Sequence, residues 1–589
     1  MQRVGEPSRE MGQWRDGGWH ESAQCKEGRE VMLTYALNRT ARESLYEQLY
    51  RALRLDIESG ALGAGDRLPS KRAFAKHLGV SVVTVEGAYD QLVAEGYVRA
   101  VPRSGFYVQE IGPNLTSFSR ISTSVEVKVP LGDSSGAKSA SCRPEARISG
   151  NDGVEKLEKL ARKGAPFCIA HSEEGLAGVS PGAGRKWLAD FTGATAPEGV
   201  FPYAAWARTL RRVLADESER TVLEASRPQG SPRLRAAIAA HLRGFRGMEV
   251  HPDQIVIGSG AQSLYGLLVQ LLGRDLVYGV EDPGYPRLTR IYESNDVTVR
   301  PIALDGEGPA LESLARAGVD VLHCTPSHQF PTGITVPVSR RRSLLEWAQA
   351  VVAAPKDGAA AGEARGRSVK ASSARPRYLI EDDFDCEFRM AGRPVPPLAA
   401  LDGAGRVVYA NTFSKTLGGA FRIGYMVLPE ALAERFRDRL GFYACTVGAL
   451  EQLTLARFME SGDYERHVNR QRTRYRRRLS ALIDALAASS AGDHLHFANA
   501  GAGLHFLMEA RGVEGDERGG VTFEERVARR AAIRGVRLAP LGRYRFTGCE
   551  AGWRHPAFMM SFSSVKEETI PEVVGIVSEA VMAEVGCRS

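Results

Sequence analysis

Apolar residues recur every four positions at Leu45, Leu49, Leu53 and Ile57, with polar residues between them, and the run stops at Gly60. That spacing predicts an amphipathic helix. After a turn, Ser70 is placed to cap a second helix carrying Phe74 and Leu78, which Gly79 ends. Ser81 is placed to cap a third, with Val85, Ala88, Tyr89 and Leu92 facing inward. The stretch GYVRAVPRSGFYV then predicts two short strands around a turn from Pro102 to Gly105. From 187 onward the pattern changes to strand-like runs, each followed by a turn and a helical pattern: QIVIGSG, LVYGVED, VDVLHCT, RYLIEDD and VVYANTF. Such βα alternation predicts an α/β domain with a mostly parallel sheet.

Between these parts the periodicity lapses. Residues 1–40 are polar and Gly-rich and read as a mobile extension, and 112–186 reads as a linker rich in Ser, Gly and charge. GVEKLEKLARKG (153–164) is a candidate short helix within that linker. As a flexible coil, roughly 75 residues span on the order of 45–50 Å, enough to reach a second subunit. The Ala/Gly-rich stretch 355–377 reads as an exposed insertion in the large domain. The expected domains are therefore 41–111 and 187–589.

Composition changes this picture little. A length of 589 residues, 43% hydrophobic and 25% charged, fits a soluble protein of two or more domains. The most apolar run, LLVQLLGRDLVYGV, is broken by Arg274 and Asp275, and residues 1–30 lack a signal-peptide pattern. Eight cysteines without a C-x-x-C pair argue against a zinc or disulfide framework and fit a reducing, cytoplasmic setting. The net charge of +7 permits a nucleic-acid partner without requiring one.

The large domain concentrates candidate chemistry. NTFSKTLGGAFRIGY (411–425) sets the amine of Lys415 beside Thr412, Ser414 and Arg422. These are groups that suit a phosphate. In IGSGAQSLYGLL, Gly258 and Gly260 form a strand-to-helix turn, and Ala261 and Gln262 open a helix whose free N–H groups favour an anion. RYLIEDDFD carries Glu381, Asp382 and Asp383 off a strand end, where α/β ligand sites lie. A carboxylate there can keep a pyridine nitrogen protonated. In DPGYPR, Tyr285 offers a flat face and Arg287 a cation for a carboxylate.

The small domain's order, helix then helix–turn–helix then hairpin, is that of a winged helix-turn-helix. Lys71, Arg72 and Lys76 on its second helix, and Arg103 in the turn, are placed to meet phosphates of double-stranded DNA. Ser81, Val82, Val83, Thr84 and Glu86 occupy the start of the third helix, which would enter the major groove. Acidic residues nearly balance the bases across 43–110, so one module should bind modestly and two on a dimer would compensate. The arginine-rich stretch 466–482 is read as a solvated face or dimer contact, not a DNA reader.

TPSHQFPTG (325–333), with IEDDFDCEFR and TFSKTLGGAFRIGY, resembles the MocR/GabR-type bacterial transcription regulators. In that family a GntR-like winged helix is fused ahead of a fold-type I aminotransferase-like domain that uses pyridoxal 5′-phosphate (PLP), and residues 43–108 resemble the first module equally well. The resemblance implies Lys415 as the Schiff-base lysine and Asp382 at the pyridine nitrogen. It places Ala261, Gln262, Thr412, Ser414 and Arg422 on the phosphate, Tyr285 on the ring, and Arg287 on the acidic end of an amino-acid effector. It also implies a head-to-tail homodimer. Four positions depart from the family pattern. Phe384 replaces a tyrosine that bonds the cofactor's O3′, and Phe330 replaces an asparagine, leaving His328 or Gln329 as substitutes. Met559 stands where transaminases often carry a carboxylate-binding arginine, and Val82 where recognition helices usually carry arginine. The expected function is a PLP-dependent regulator sensing an amine, or PLP itself. The alternative is a working aminotransferase with an attached DNA module.

Overall fold

A computed structural model of the chain describes residues 33–35, 37–38, 44–101, 104–109, 186–194, 197–350, 375–390, 395–513, 521–546 and 555–585. The linker apart from residue 186, the candidate helix 153–164, Arg103 and most of the 355–377 insertion lie outside the described residues. So do residues 1–32 of the extension. The polypeptide forms two compact units.

In the small unit the helices are Leu45–Glu58, Lys71–Leu78 and Val82–Ala94. Leu49, Leu53, Ile57, Phe74, Val85 and Ala88 are buried there, and Tyr89 and Leu92 further along the third helix are buried too, as the periodicity predicts. Ser70 accepts a hydrogen bond from Ala73 N, and Gly79 closes the second helix at φ 63°. Ser81 accepts from Thr84 N at 3.1 Å, which caps the third. The hairpin strands are Val98–Val101 and Gly105–Val108, and Arg67–Leu68 adds a third strand that the pattern did not predict. Gly87 lets the third helix approach Tyr46, whose ring would stand 3.5 Å from a β-carbon there. Part of the presumed extension is ordered against this unit: Leu33 is buried and Tyr35 donates to Asp56 at 2.5 Å.

The large unit is built on an eight-stranded sheet. Its order is Ile255–Gly258, Gly424–Val427, Val407–Thr412, Tyr378–Asp382, Val321–Cys324, Val277–Asp282, Thr298–Asp305 and Gly308–Pro309. The five strands from Val407–Thr412 to Thr298–Asp305 are parallel, whereas Gly424–Val427 runs against both of its neighbours. Near-continuous burial of VVYANT, YLIED and VLHC is what a sheet covered on both faces requires. A second, antiparallel sheet follows, ordered Leu495–Ala498, His505–Ala510, Ala557–Ser561 and Ala539–Pro540. The 25-residue helix Asp463–Ala487 serves two cores, burying Tyr464 and Val468 in one and Tyr475, Leu479, Leu482 and Leu486 in the other. No helix among the described residues is long and apolar enough to cross a membrane.

Candidate functional site

The acidic run at the end of Tyr378–Asp382 separates into three roles. Glu381 is fully buried, 3.5 Å from Arg341, and accepts from Leu398 N and Ala399 N. Asp383 is buried 2.8 Å from Arg246 and accepts from the Tyr409 hydroxyl at 2.7 Å. Burial opposes its charge, but Arg246 prevails and holds its carboxyl below the usual range. Asp382, between them, is only half-buried and accepts from the Tyr265 hydroxyl at 2.5 Å. His323 Nε2 lies 3.7 Å from it, and Tyr292 bonds the other ring nitrogen at 2.6 Å. Of the three acids, Asp382 is the least buried. Tyr265 and His323, which hold it, carry no motif and were not foreseen.

Sheet register gathers the residues expected at a phosphate. Thr412 pairs with Gly424, and Gly424 with Gly258, so three strand ends meet in one row. The helix Ala261–Leu272 starts just beyond, capped by Gly260 at φ 81°. Its first-turn N–H groups, including those of Ala261 and Gln262, have no helical partner. Arg422 lies against this turn: a β-carbon on Gly260 would stand 2.5 Å from Nη2 and 2.8 Å from Cζ. Its guanidinium is exposed and has no ion pair among the described residues. Thr412 is buried at the row's end, and half-buried Ser414 opens the short helix Ser414–Leu417 that carries Lys415. Gly260→Ala should therefore displace Arg422 and add about 1–2 kcal/mol of backbone strain. Equilibrium dialysis should show phosphate-ester affinity falling by roughly tenfold, which is about 1.4 kcal/mol.

Burial pushes the Lys415 amine below the ordinary lysine value, and Asp385 partly offsets the shift. A partly buried amine held toward its neutral form is the nucleophile an aldehyde needs. Its Nζ sits 6.0 Å from the centre of the Phe384 ring. Phe384 meets Phe330 edge-on at 6.3 Å, and Phe330 meets Tyr285 at 5.7 Å. These rings connect the lysine to the DPGYPR turn, where Tyr285 remains 42% exposed and has a face free to stack. Arg287 is exposed on the helix Pro286–Glu293, without an ion pair among the described residues. Behind Phe384, His328 is paired with Asp385 at 3.0 Å, and its other ring nitrogen faces the His505 carbonyl at 3.2 Å. Gln329 is spent on Pro283 O and Phe330 O. Met559 is fully buried between Leu507 and Ala539, so that strand offers no cation at this position. The amine, the anion cradle and Asp382 together suit a phosphate-bearing aldehyde with a basic ring nitrogen.

In the small unit Arg72 and Lys76 are exposed, whereas Lys71 is drawn to Glu86 at 2.9 Å and lies over the Phe106 ring. The Ser81 and Thr84 hydroxyls bond each other at 2.8 Å, so their first task is capping. Val82 and Val83 are 43% and 74% exposed at the start of the same helix.

Residues 45–108 match the bacterial regulatory proteins of the gntR family, and residues 197–517 match aminotransferase class I and II. The chain is 31% identical to the HTH-type transcriptional regulator YdeL of Bacillus subtilis, over 81% of this chain and 86% of that one. It is 30% identical to the HTH-type pyridoxine biosynthesis transcriptional regulator PdxR of Corynebacterium glutamicum, over 93% and 98%. It is 29% identical to the rhizopine catabolism regulatory protein MocR of Rhizobium meliloti, described as probable, over 87% and 89%. Among solved structures, the kynurenine aminotransferase of Pyrococcus horikoshii shares the fold at a TM-score of 0.55 and 22% identity, covering 75% of this chain and 96% of that one. The chain therefore belongs to the MocR/PdxR-type HTH transcriptional regulators, in which a GntR-family DNA-binding module precedes an aminotransferase class I/II domain.

Proposed function

We propose that this regulator holds PLP in its large unit and reads an amine or amino acid there to set its grip on DNA. The observation that carries the reading is the partly buried Lys415, whose amine is held below the ordinary lysine value, together with the Gly260–Arg422 turn and the half-buried Asp382. When bound, PLP supplies an aldehyde that condenses reversibly with one amine at a time. Asp382, steadied by Tyr265, would face its ring nitrogen, and Tyr285 its ring. Ala261, Gln262, Thr412, Ser414 and Arg422 would hold the phosphate. Arg287 would receive the effector's carboxylate. An effector amine that took the place of Lys415 would leave the lysine amine free, which would change local charge and packing. If two domain arrangements respond differently, DNA affinity shifts by the differential energy, typically about 1–3 kcal/mol. The protein would act in the cytoplasm as a head-to-tail homodimer.

Phe384 offers no hydroxyl to the cofactor and Met559 no cation to a substrate, which favours sensing over turnover. Likeness to PdxR supports a second reading, in which PLP occupancy is itself the signal. A titration of the PLP-loaded protein with an amino-acid panel separates these readings. A band shift with one amine and no keto acid supports amine sensing. Keto acid released turnover after turnover makes the protein an enzyme. No shift with any amine, while PLP alone alters DNA binding, favours the occupancy signal. On the DNA side, replacing Arg72 and Lys76 with alanine should reduce the slope of log K against log salt by about 1.8, the loss of two phosphate contacts. Fluorescence anisotropy with a labelled duplex measures it.

A further inference from the structure

The helices Pro232–Arg246 and Asp463–Ala487 and the turn Cys386–Phe388 border a cleft of about 540 Å³ that contains none of the residues assigned to PLP. His241, Phe245, Glu387, Tyr464, Glu465 and Arg472 line it. Its walls are aromatic: the His241 ring stacks on Phe245 at 5.4 Å and meets Tyr464 edge-on at 5.3 Å. Its charge is acidic. Arg472 is committed, donating to the Glu387 carbonyl at 2.9 and 2.7 Å and to Asn469 at 3.0 Å. Glu465 stands 3.5 Å from His241. Glu387 is 4% exposed, and its Oε2 has no hydrogen-bond partner among the described residues. Its other oxygen receives a 3.5 Å contact from the Asn411 amide, and the residue's own backbone N–H also supports the carboxylate.

A buried carboxylate oxygen without a donor calls for one. A donor that also carries positive charge would gain twice, from the carboxylate and from the faces of the surrounding rings. We propose that this cleft is a second ligand site, one that takes a small organic ammonium with an apolar or aromatic body. The ammonium meets Glu387, and the carbon body lies against His241, Phe245 and Tyr464.

The cleft touches the segments that carry the first site. The Tyr464 hydroxyl donates to Thr416 Oγ1 at 3.4 Å, and His467 and Gln471 bond the Thr416 carbonyl at 2.8 and 3.0 Å. Thr416 directly follows Lys415. Asn411, beside Glu387, accepts from Thr412 N at 2.6 Å. An occupant therefore bears on both the lysine's helix and the cradle's edge. That influence on the cofactor rests on the reading above, whereas binding at the cleft does not.

The test uses N,N-dimethylphenethylammonium, a tertiary amine that cannot condense with an aldehyde, so binding at Lys415 chemistry does not confuse the result. Isothermal titration of the PLP-loaded full chain should show one site per subunit. Glu387→Gln should weaken it at least tenfold. Gly244→Phe should block it, because Gly244 lines the cleft and a β-carbon there meets nothing within 4 Å, with circular dichroism checking that the variant is folded. Burial holds the Glu387 carboxyl up at about 7, with His241 opposing and Asp383 and Asp385 adding to the rise. Affinity should then fall about tenfold per pH unit below that value, as the carboxyl must ionise to receive a cation. No binding by the wild type overturns the proposal, as does binding that survives Gly244→Phe. Binding blocked by Gly244→Phe but unaffected by a folded Glu387→Gln overturns the carboxylate–ammonium assignment.

Discussion

Arg246→Ala is expected to destabilise the large unit by about 3–5 kcal/mol, the usual result of stripping one partner from a buried ion pair. The Arg246 side chain is 1% exposed and that of Asp383 is fully buried, with 2.8 Å between them. Arg246 also donates to the Val395 carbonyl at 3.1 Å and to Ser327 Oγ at 2.9 Å. Alanine would leave the Asp383 carboxylate in a dry place with only the neutral donors Tyr409, Ser327 and Cys386 among the described residues to support its charge. A double replacement by leucines should recover much of the loss, because it removes the stranded charge as well. Urea unfolding of the three variants measures the difference. The sign with pH is also fixed. Because Arg246 holds the Asp383 carboxyl below its unfolded value of about 3.9, the pair contributes in full above that pH and is lost as pH falls through the folded value. The consequence for function is positional, since Asp383 anchors the strand end from which Asp382 projects.

Lys415→Ala should abolish the visible absorption that PLP acquires on binding and weaken PLP retention roughly 100-fold, about 2.8 kcal/mol. The cradle would remain, because Arg422, Gly260 and Thr412 belong to other segments. The variant should still bind inorganic phosphate competitively with PLP. Equilibrium dialysis and an absorbance scan give both numbers. A variant that keeps the lysine-type band would show that another amine does the work.

Much of this was legible in the sequence because the small unit's signals are local. Four-residue spacing, Ser caps and a terminal glycine act within a few positions, and each helix formed where they placed it. In the large unit the strand-like runs were legible for the same reason. The antiparallel strand Gly424–Val427 was not, since its first two residues close the lysine motif and its direction depends on neighbours far away in sequence. The candidate site divides similarly. Lys415, Arg422 and the acidic run stand in short motifs. What selects Asp382 from its neighbours is the capture of Glu381 by Arg341 and Asp383 by Arg246, pairings between distant segments that no local pattern encodes. Tyr265 and His323 were missed for that reason too. The Lys71 contact with Glu86 shows the same limit in the small unit, where a cation that spacing assigned to DNA is engaged within the fold.

Under the proposed function, chemistry at Lys415 governs DNA binding. The most direct measurement is the affinity of the PLP-loaded protein for its own promoter-region duplex, at fixed salt, with and without the amine that shifts its absorbance. The account predicts a change of roughly 5–150-fold, the range that about 1–3 kcal/mol of coupling gives. The change should vanish in Lys415→Ala. Equal affinity with and without that amine, in a protein whose band has shifted fully, would contradict it.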